Sequence, residues 1–232
     1  MEYLIYAYTL LTIAVFALAI KINRHWKSLI FNSFILSVLF LVLLLLLTGI
    51  SYDSYMIGNA PLNHLLSLGV VALALPLYEQ LPQIRKQWRA ILLISFLATI
   101  VAMLSGAIVA LSLGASPEII ATILPKSVTT PIAMEVAGNI GGVVAVTAVS
   151  VVIAGLIGSV FGYLILRKMR IKYLESIGLA LGSTAHALGT ASAMQEDVKA
   201  GSYSSLALVL CGIMSSLLAP VMFKVIYFFY YA

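Results

Sequence analysis

The sequence predicts an all-α membrane protein that crosses the bilayer several times and carries two interrupted membrane segments. Of its 232 residues, 62% are hydrophobic and only 9% are charged, against roughly 25% charged in a soluble domain. Short basic stretches lie between several of the long apolar runs. Because so few charged side chains cannot cover a water-exposed surface, much of the protein surface must face the lipid bilayer.

Six apolar runs approach the length of a membrane-crossing helix, which takes about 20 residues. They lie at 4–20, 29–50, 62–78, 90–113, 143–166 and 204–227. The first run is followed, not preceded, by positive charges, so we expect a retained helix and not a cleaved signal peptide. Pro76 lies at the end of the third run, where proline favours a helix break.

The basic residues indicate how the chain is oriented. Ten of the 13 Lys and Arg residues fall in three stretches between apolar runs, 21–27, 85–89 and 167–172. Cytoplasmic loops of membrane proteins carry such an excess of positive charge, so we expect these stretches inside and the N-terminus outside. The same distribution argues against a nucleic-acid-binding face, despite the net charge of +5.

The segment 117–142 is apolar overall but is interrupted in its middle. Pro125 and Pro131 cannot donate interior helix hydrogen bonds, and Lys126 lies between them. Irregular backbone at membrane depth is tolerated only where it is buried in protein or lines a cavity. The part of the segment before the break, 117–124, has eight residues, and as a helix it is about 12 Å long. That length is close to half of a bilayer core of about 30 Å. We therefore expect the tip, 125–131, near the bilayer midplane.

The segment 173–196 is the second interrupted segment. Gly, Ala, Ser and Thr make up twelve of the sixteen residues 178–193, a density that lets helices approach closely. Gly182 and Gly189 bracket a predicted break, with His186 at its centre.

Each interrupted segment has two possible topologies, a re-entrant hairpin or a full crossing with a broken middle. The charge pattern favours six crossings plus two hairpins entering from opposite sides, because a full crossing at 117–142 would put 167–172 outside. A shift of 60 residues aligns the two segments and places Lys126 on His186. Four identities result, a number that chance or homology could give: Thr130, Ala133, Met134 and Gly141 with Thr190, Ala193, Met194 and Gly201. Inverted repeats with interrupted helices are typical of secondary carriers.

Lys126 is the principal candidate for chemistry, because a lysine at membrane depth usually faces a cavity or a partner. It could be the counter-charge of an anionic substrate, form a structural ion pair with Glu135, or extend to water. His186 is the counterpart in the second segment, either a proton-coupling group or a satisfied core histidine. Glu135 is a second proton-coupling candidate.

Hydroxyl side chains surround both candidates. They could bind a carboxylate or hydroxyl of a substrate, or satisfy backbone groups released by the breaks. The substrate-binding candidates among them are Ser127, Thr129, Thr130, Ser183, Thr184 and Thr190. No metal, cofactor or nucleophile–base motif accompanies them, so we expect neither a cofactor nor an enzyme. We expect one integral membrane domain, 1–232, with peripheral scaffold helices in 1–60 and a core in 61–232.

Three long strings of residues resemble one family. They are VALALPLYEQ from Val71, LPKSVTTPIAMEVAGNIGG from Leu124 and GLALGSTAHALGTASAMQEDVKAGSYSSLAL from Gly178. On these strings, with similarity over essentially the whole chain, the protein resembles the LrgB/CidB membrane proteins of bacteria.

The resemblance implies a function and partners. It implies a multi-pass protein of the bacterial cytoplasmic membrane that carries small monocarboxylates, similar to glycolate, glycerate or pyruvate, and works with a small LrgA/CidA-like membrane protein. It also implies a homodimeric scaffold against which the core moves as an elevator. The alternative that the family name implies is a holin/antiholin-like regulator of murein hydrolase activity and autolysis.

Overall fold

The computed structural model describes residues 2–26, 33–62, 64–65, 74–79 and 81–230. The chain divides into two compact units, Met1–Ala74 and Leu75–Ala232. Ten helices are assigned within the described ranges: α1 (Glu2–Trp26), α2 (Ser33–Thr48), α3 (Tyr52–Gly58), α4 (Ala74–Glu79), α5 (Leu81–Ser112), α6 (Pro117–Ile123), α7 (Thr130–Asn139), α8 (Val144–Lys168), α9 (Leu174–Glu196) and α10 (Val198–Tyr230).

Four helices, α1, α5, α8 and α10, are long and apolar enough to cross a membrane, and α2 is apolar but shorter. The protein is thus a polytopic, all-helical membrane protein, as the composition predicts. Much of the predicted third run, 62–78, lies outside the described residues. Pro76 lies in the first turn of α4, which continues through it to Glu79, and a proline is tolerated in that first turn because the N–H it lacks has no intrahelical partner there.

The first unit contains a short helix, α3, between the apolar runs 29–50 and 62–78. Helix α3 begins after Ser51, whose hydroxyl accepts a hydrogen bond from the backbone N–H of Ser54 at 3.3 Å, the usual cap of a helix start. The helix is fastened to α1, where the Thr9 hydroxyl donates to the carbonyl oxygen of Gly58 at 3.0 Å. The Thr12 hydroxyl adds a bond of 2.7 Å to the hydroxyl of Tyr55.

In the second unit, α5 and α10 run side by side in the same direction. Ile91 and Ala207 share one apolar cluster, and the thiol of Cys211 donates to the carbonyl oxygen of Ser95 at 3.6 Å. The contact positions rise together along both helices, which defines the parallel arrangement. Both helices pack against the interrupted segments.

The second interrupted segment turns back on itself at His186, whose backbone has φ 42° and ψ −133°. A Cβ added to Gly189 would lie 2.5 Å from the carbonyl oxygen of Leu181, so the second arm of α9 lies against the first. The break falls between the two predicted glycines, but both keep helical backbone. Gly182 instead allows α9 to contact the backbone of Ser204 on α10.

The first interrupted segment turns at residues 124–129, between α6 and α7. Pro125 lies within this turn, whereas Pro131 is in the first turn of α7, where its fixed φ suits a helix start. After α7, the chain returns to α6: a Cβ on Gly142 would lie 2.7 Å from the backbone nitrogen of Thr122. The residues that follow α7 therefore lie beside α6.

Helix α8 contacts both interrupted segments. Near its start, Thr147 donates to the carbonyl oxygen of Thr122 at 3.0 Å, and the N–H of Val143 donates to the Thr122 hydroxyl at 2.8 Å. Farther along, the Ser192 hydroxyl donates to the carbonyl oxygen of Ser159 at 3.1 Å. The two segments thus pack along α8 from its opposite ends.

Candidate functional site

The two turns meet at Val151 on α8. The side chain of Val151 is fully buried and packs in one cluster with Val128 and Ala133, from the first segment. Its carbonyl oxygen accepts a hydrogen bond of 2.9 Å from Nε2 of His186, in the second segment. The sequence predicts two hairpins that enter from opposite sides but contains no signal for the residue at which they meet.

Lys126 lies in the first turn and extends toward α5. Its Nζ donates to the carbonyl oxygen of Ala102 at 2.7 Å, and the side chain is partly buried. Gly106 provides the space, because a Cβ there would lie 2.8 Å from Nζ. A carbonyl oxygen neutralises no charge, so Lys126 still needs a counter-ion whenever its side chain is an ammonium group.

The sequence left open an ion pair between Lys126 and Glu135. Within the described part of the chain, these two side chains do not form an ion pair. The carboxylate of Glu135 is exposed and accepts a hydrogen bond of 3.2 Å from Nδ2 of Asn139. These two side chains border grooves on both faces of α7, of about 370 Å³ and about 490 Å³. Both grooves reach Pro131, next to the start of α7.

The hydroxyl groups of the first turn are not committed to other protein groups. Thr129 precedes α7 but its side chain forms no capping bond. Within the described ranges, the hydroxyls of Ser127 and Thr130 likewise have no hydrogen-bond partner, and all three residues are partly exposed. The start of α7 therefore combines uncapped N–H groups, free hydroxyls and a nearby ammonium group, the features of an anion site.

The hydroxyl groups of the second segment are committed. Ser183 donates to the carbonyl oxygen of Leu179 at 2.7 Å, and Thr184 to that of Ala180 at 2.7 Å. Thr190 lies 2.9 Å from the carbonyl oxygen of His186. It is also bonded to the hydroxyl of Ser204 at 2.9 Å. These bonds join the hydroxyls to backbone carbonyl groups of α9 and, through Ser204, to α10.

His186 is buried, with 5% of its surface exposed. A carbonyl oxygen only accepts hydrogen bonds, so Nε2 carries the hydrogen toward Val151. The ring lies against α8 where only a glycine fits, since a Cβ on Gly155 would lie 2.5 Å from Nε2. A positive φ is uncommon outside glycine, and such backbone costs on the order of 1–3 kcal/mol unless its surroundings hold it. Here the ring bond to α8 and the Thr190 bond hold it.

Two groups at the core of this unit were not identified from the sequence. The hydroxyl groups of Ser95 and Tyr203 are buried and have no hydrogen-bond partner in the part of the chain that the structure describes. Ser95 is one hydroxyl residue in a long apolar helix, and Tyr203 lies in a run of hydroxyl residues, 202–205. The sequence therefore contains no signal that distinguishes either from its neighbours.

Sequence comparisons identify the family. The LrgB-like family profile matches residues 12–225. An uncharacterized protein of Haemophilus influenzae is 60% identical over 228 residues, covering 98% of this chain and 99% of that protein. The uncharacterized protein YxaC of Bacillus subtilis is 37% identical over 211 residues, with 91% and 92% covered. The holin-like protein CidB of Staphylococcus aureus is 34% identical over 221 residues, with 94% and 95% covered.

No solved structure matches the chain. The family profile covers nearly all of the sequence, including both interrupted segments and α8 between them. The chain therefore belongs to the LrgB-like family of membrane proteins, whose members include the holin-like protein CidB.

Proposed function

We propose that this protein is a proton-driven membrane carrier of small monocarboxylates such as glycolate, glycerate or pyruvate. The observation that carries the proposal is the ammonium group of Lys126, partly buried and bonded to a carbonyl oxygen. A cation inside a membrane protein without a counter-charge is costly, and a substrate carboxylate would supply that charge.

The surroundings of Lys126 fit a carboxylate. Backbone N–H groups at a helix start attract anions, and α7 begins at Thr130, four residues after Lys126, with an uncapped Thr129. Free hydroxyls at Ser127 and Thr130 offer donors and acceptors for a 2-hydroxy or 2-oxo group. In this proposal the carboxylate lies at the start of α7, and the grooves beside Glu135 lead to it.

The arrangement of the two turns supports an inverted repeat of two re-entrant hairpins. They pack along α8 from opposite ends and meet at Val151, as in carriers whose broken helices meet within the membrane. Lys126 contacts α5 at Ala102, which lies ten residues before α5 ends at Ser112. At 1.5 Å per residue, Ala102 is about 15 Å along the helix axis from that end. In this proposal the second unit moves as an elevator against a homodimeric scaffold.

The proposal includes a location and partners. The chain would lie in the bacterial cytoplasmic membrane with its N-terminus outside, since the basic stretches flank α1, α5 and α8 at one end each. A small LrgA-like membrane protein would act with it. These parts follow from charge placement and from family membership.

Uptake into proteoliposomes tests the carrier function. Purified protein would accumulate labelled glycolate or pyruvate saturably when the outside is made acidic. Replacing Lys126 with alanine removes a charged hydrogen bond worth about 1.5–3 kcal/mol, so we expect uptake to fall at least tenfold. Lys224→Ala, an exposed lysine of α10, is the matched control and would keep wild-type uptake.

The name of the Staphylococcus aureus relative, holin-like protein CidB, supports a second candidate function. A holin-like protein forms or regulates a lesion in the membrane and needs no substrate site. Release of a trapped dye from the same liposomes, without saturable substrate uptake, would support this function and contradict the carrier. Saturable uptake by dye-tight liposomes would support the carrier.

A further inference from the structure

We infer that Lys126 carries the coupled proton itself: its side chain is a neutral amine in the empty carrier and an ammonium ion when the anion is bound. This inference rests on the proposed function and specifies how protons drive it. It assigns both substrate binding and proton coupling to one side chain, whereas the sequence analysis assigns coupling to Glu135 or His186.

The bond between Lys126 and Ala102 suits both protonation states. An ammonium group and a neutral amine each have an N–H that can donate to the carbonyl oxygen at 2.7 Å. The absent Cβ of Gly106 leaves space for Nζ at this position, since a Cβ there would lie 2.8 Å from it. The side chain can therefore change its charge without losing its position.

The charged state lacks a protein counter-ion. No charged group on the described elements around the first turn forms an ion pair with Lys126. The titratable groups on these elements, besides Lys126, are Arg85, Lys86, Arg89, Glu118, Glu135, Tyr163, Arg167, Lys168, Lys199, Tyr203, Cys211, Lys224, Tyr227 and Tyr230. On the opposing turn, His186 is engaged with the Val151 carbonyl. Only the anion supplies a negative charge to the ammonium group.

The cycle that follows transports one proton with each anion. At the outer side, the amine takes a proton from water and the substrate carboxylate pairs with the resulting ammonium group. The loaded site has no net charge when the core moves. At the inner side, the carboxylate leaves, the ammonium group gives its proton to water, and the neutral amine returns. Each half of the cycle thus avoids moving an unpaired charge through the membrane.

Lysine-selective NMR tests the inference directly. Protein labelled with ¹³C and ¹⁵N in lysine, in detergent near neutral pH, gives a Lys126 side-chain signal that is assigned by its loss in Lys126→Gln. We expect an amine signal without ligand and an ammonium signal when glycolate saturates the site. Lys172 and Lys224, both exposed, serve as internal controls that stay ammonium. An ammonium signal in both states, or an amine in both, would overturn the inference.

Transport by Lys126→Arg provides the functional test, because a guanidinium group stays charged. We expect this variant to exchange labelled for unlabelled glycolate while an imposed proton gradient no longer drives accumulation. Lys224→Arg is the matched control and would keep both activities. Proton-driven accumulation by Lys126→Arg, with its loss in Glu135→Gln or His186→Gln, would overturn the inference. If wild-type protein neither accumulates nor exchanges the anion, the proposed function fails instead.

Discussion

Gly182 allows α9 to pack directly on α10, and Gly182→Ala tests how closely the two helices are held. A Cβ at this position would lie 2.8 Å from the carbonyl carbon and 2.9 Å from the Cα of Ser204. Because carbon atoms pack at about 3.5–4.0 Å, the helices must separate by roughly 1 Å. That movement also stretches the 2.9 Å bond between Thr190 and Ser204.

The structure sets the size of the effect. Overpacking a well-packed core costs about 1–3 kcal/mol, and a weakened buried hydrogen bond adds about 0.5–1.5 kcal/mol. Replacing glycine by alanine within a helix returns up to about 1 kcal/mol. We therefore expect Gly182→Ala to destabilise the protein by about 1–3 kcal/mol.

Cys211 provides the assay. It is the single cysteine of the chain and is 2% exposed, so a thiol-reactive fluorescent maleimide labels it only when the helices open. Labelling during a temperature ramp would begin at a lower temperature in Gly182→Ala than in wild type. Gly138→Ala is the control, since a Cβ there meets only Val144 at 3.4 Å. Equal or higher stability of Gly182→Ala relative to this control would refute the close packing of α9 on α10.

Three further changes test other contacts. Thr122→Val leaves the N–H of Val143 without its acceptor. The same thiol assay should therefore show a loss of stability of about 1–3 kcal/mol. Unchanged stability would contradict the contact between α6 and α8. Glu175→Gln removes the ion pair between Glu175 and Lys199, in which 25% of the Glu175 side chain is exposed. We expect a loss of stability of less than about 1 kcal/mol. A stability difference that persists in high salt would contradict a screened surface pair. Gly106→Ala should displace the ammonium group of Lys126 and lower glycolate uptake, with unchanged uptake contradicting the tight contact.

The sequence alone determined the class of protein and the positions of both interruptions. Composition and the length of apolar runs depend on no tertiary contact, because transfer of a helix into lipid is a sum over its residues. The prolines around Lys126 likewise act through their own backbone, so the first turn was predictable. The family followed from long ordered strings that need no structure to be read.

The tertiary structure decided which groups remain free to bind a ligand. Lys126 was predicted at the first turn, but its contact with the Ala102 carbonyl depends on how α5 packs beside that turn. Glu135 lies on an exposed face of α7. Hydroxyl residues of both turns look alike in the sequence, yet only those of the first turn lack partners in the described structure.

The second turn also depends on tertiary contacts that the sequence does not show. Glycines at 182 and 189 predict a break between them because glycine adopts many backbone conformations. The backbone changes direction at His186, between them, while both glycines keep helical backbone. The side-chain bond of His186 to Val151 holds a conformation that local preference disfavours, while Gly182 allows close helix contact. Local sequence therefore determined that the segments break within the apolar part of the chain. Packing against α8 and α10 decided which residue turns and which hydroxyls are satisfied, because such contacts depend on helices distant in sequence.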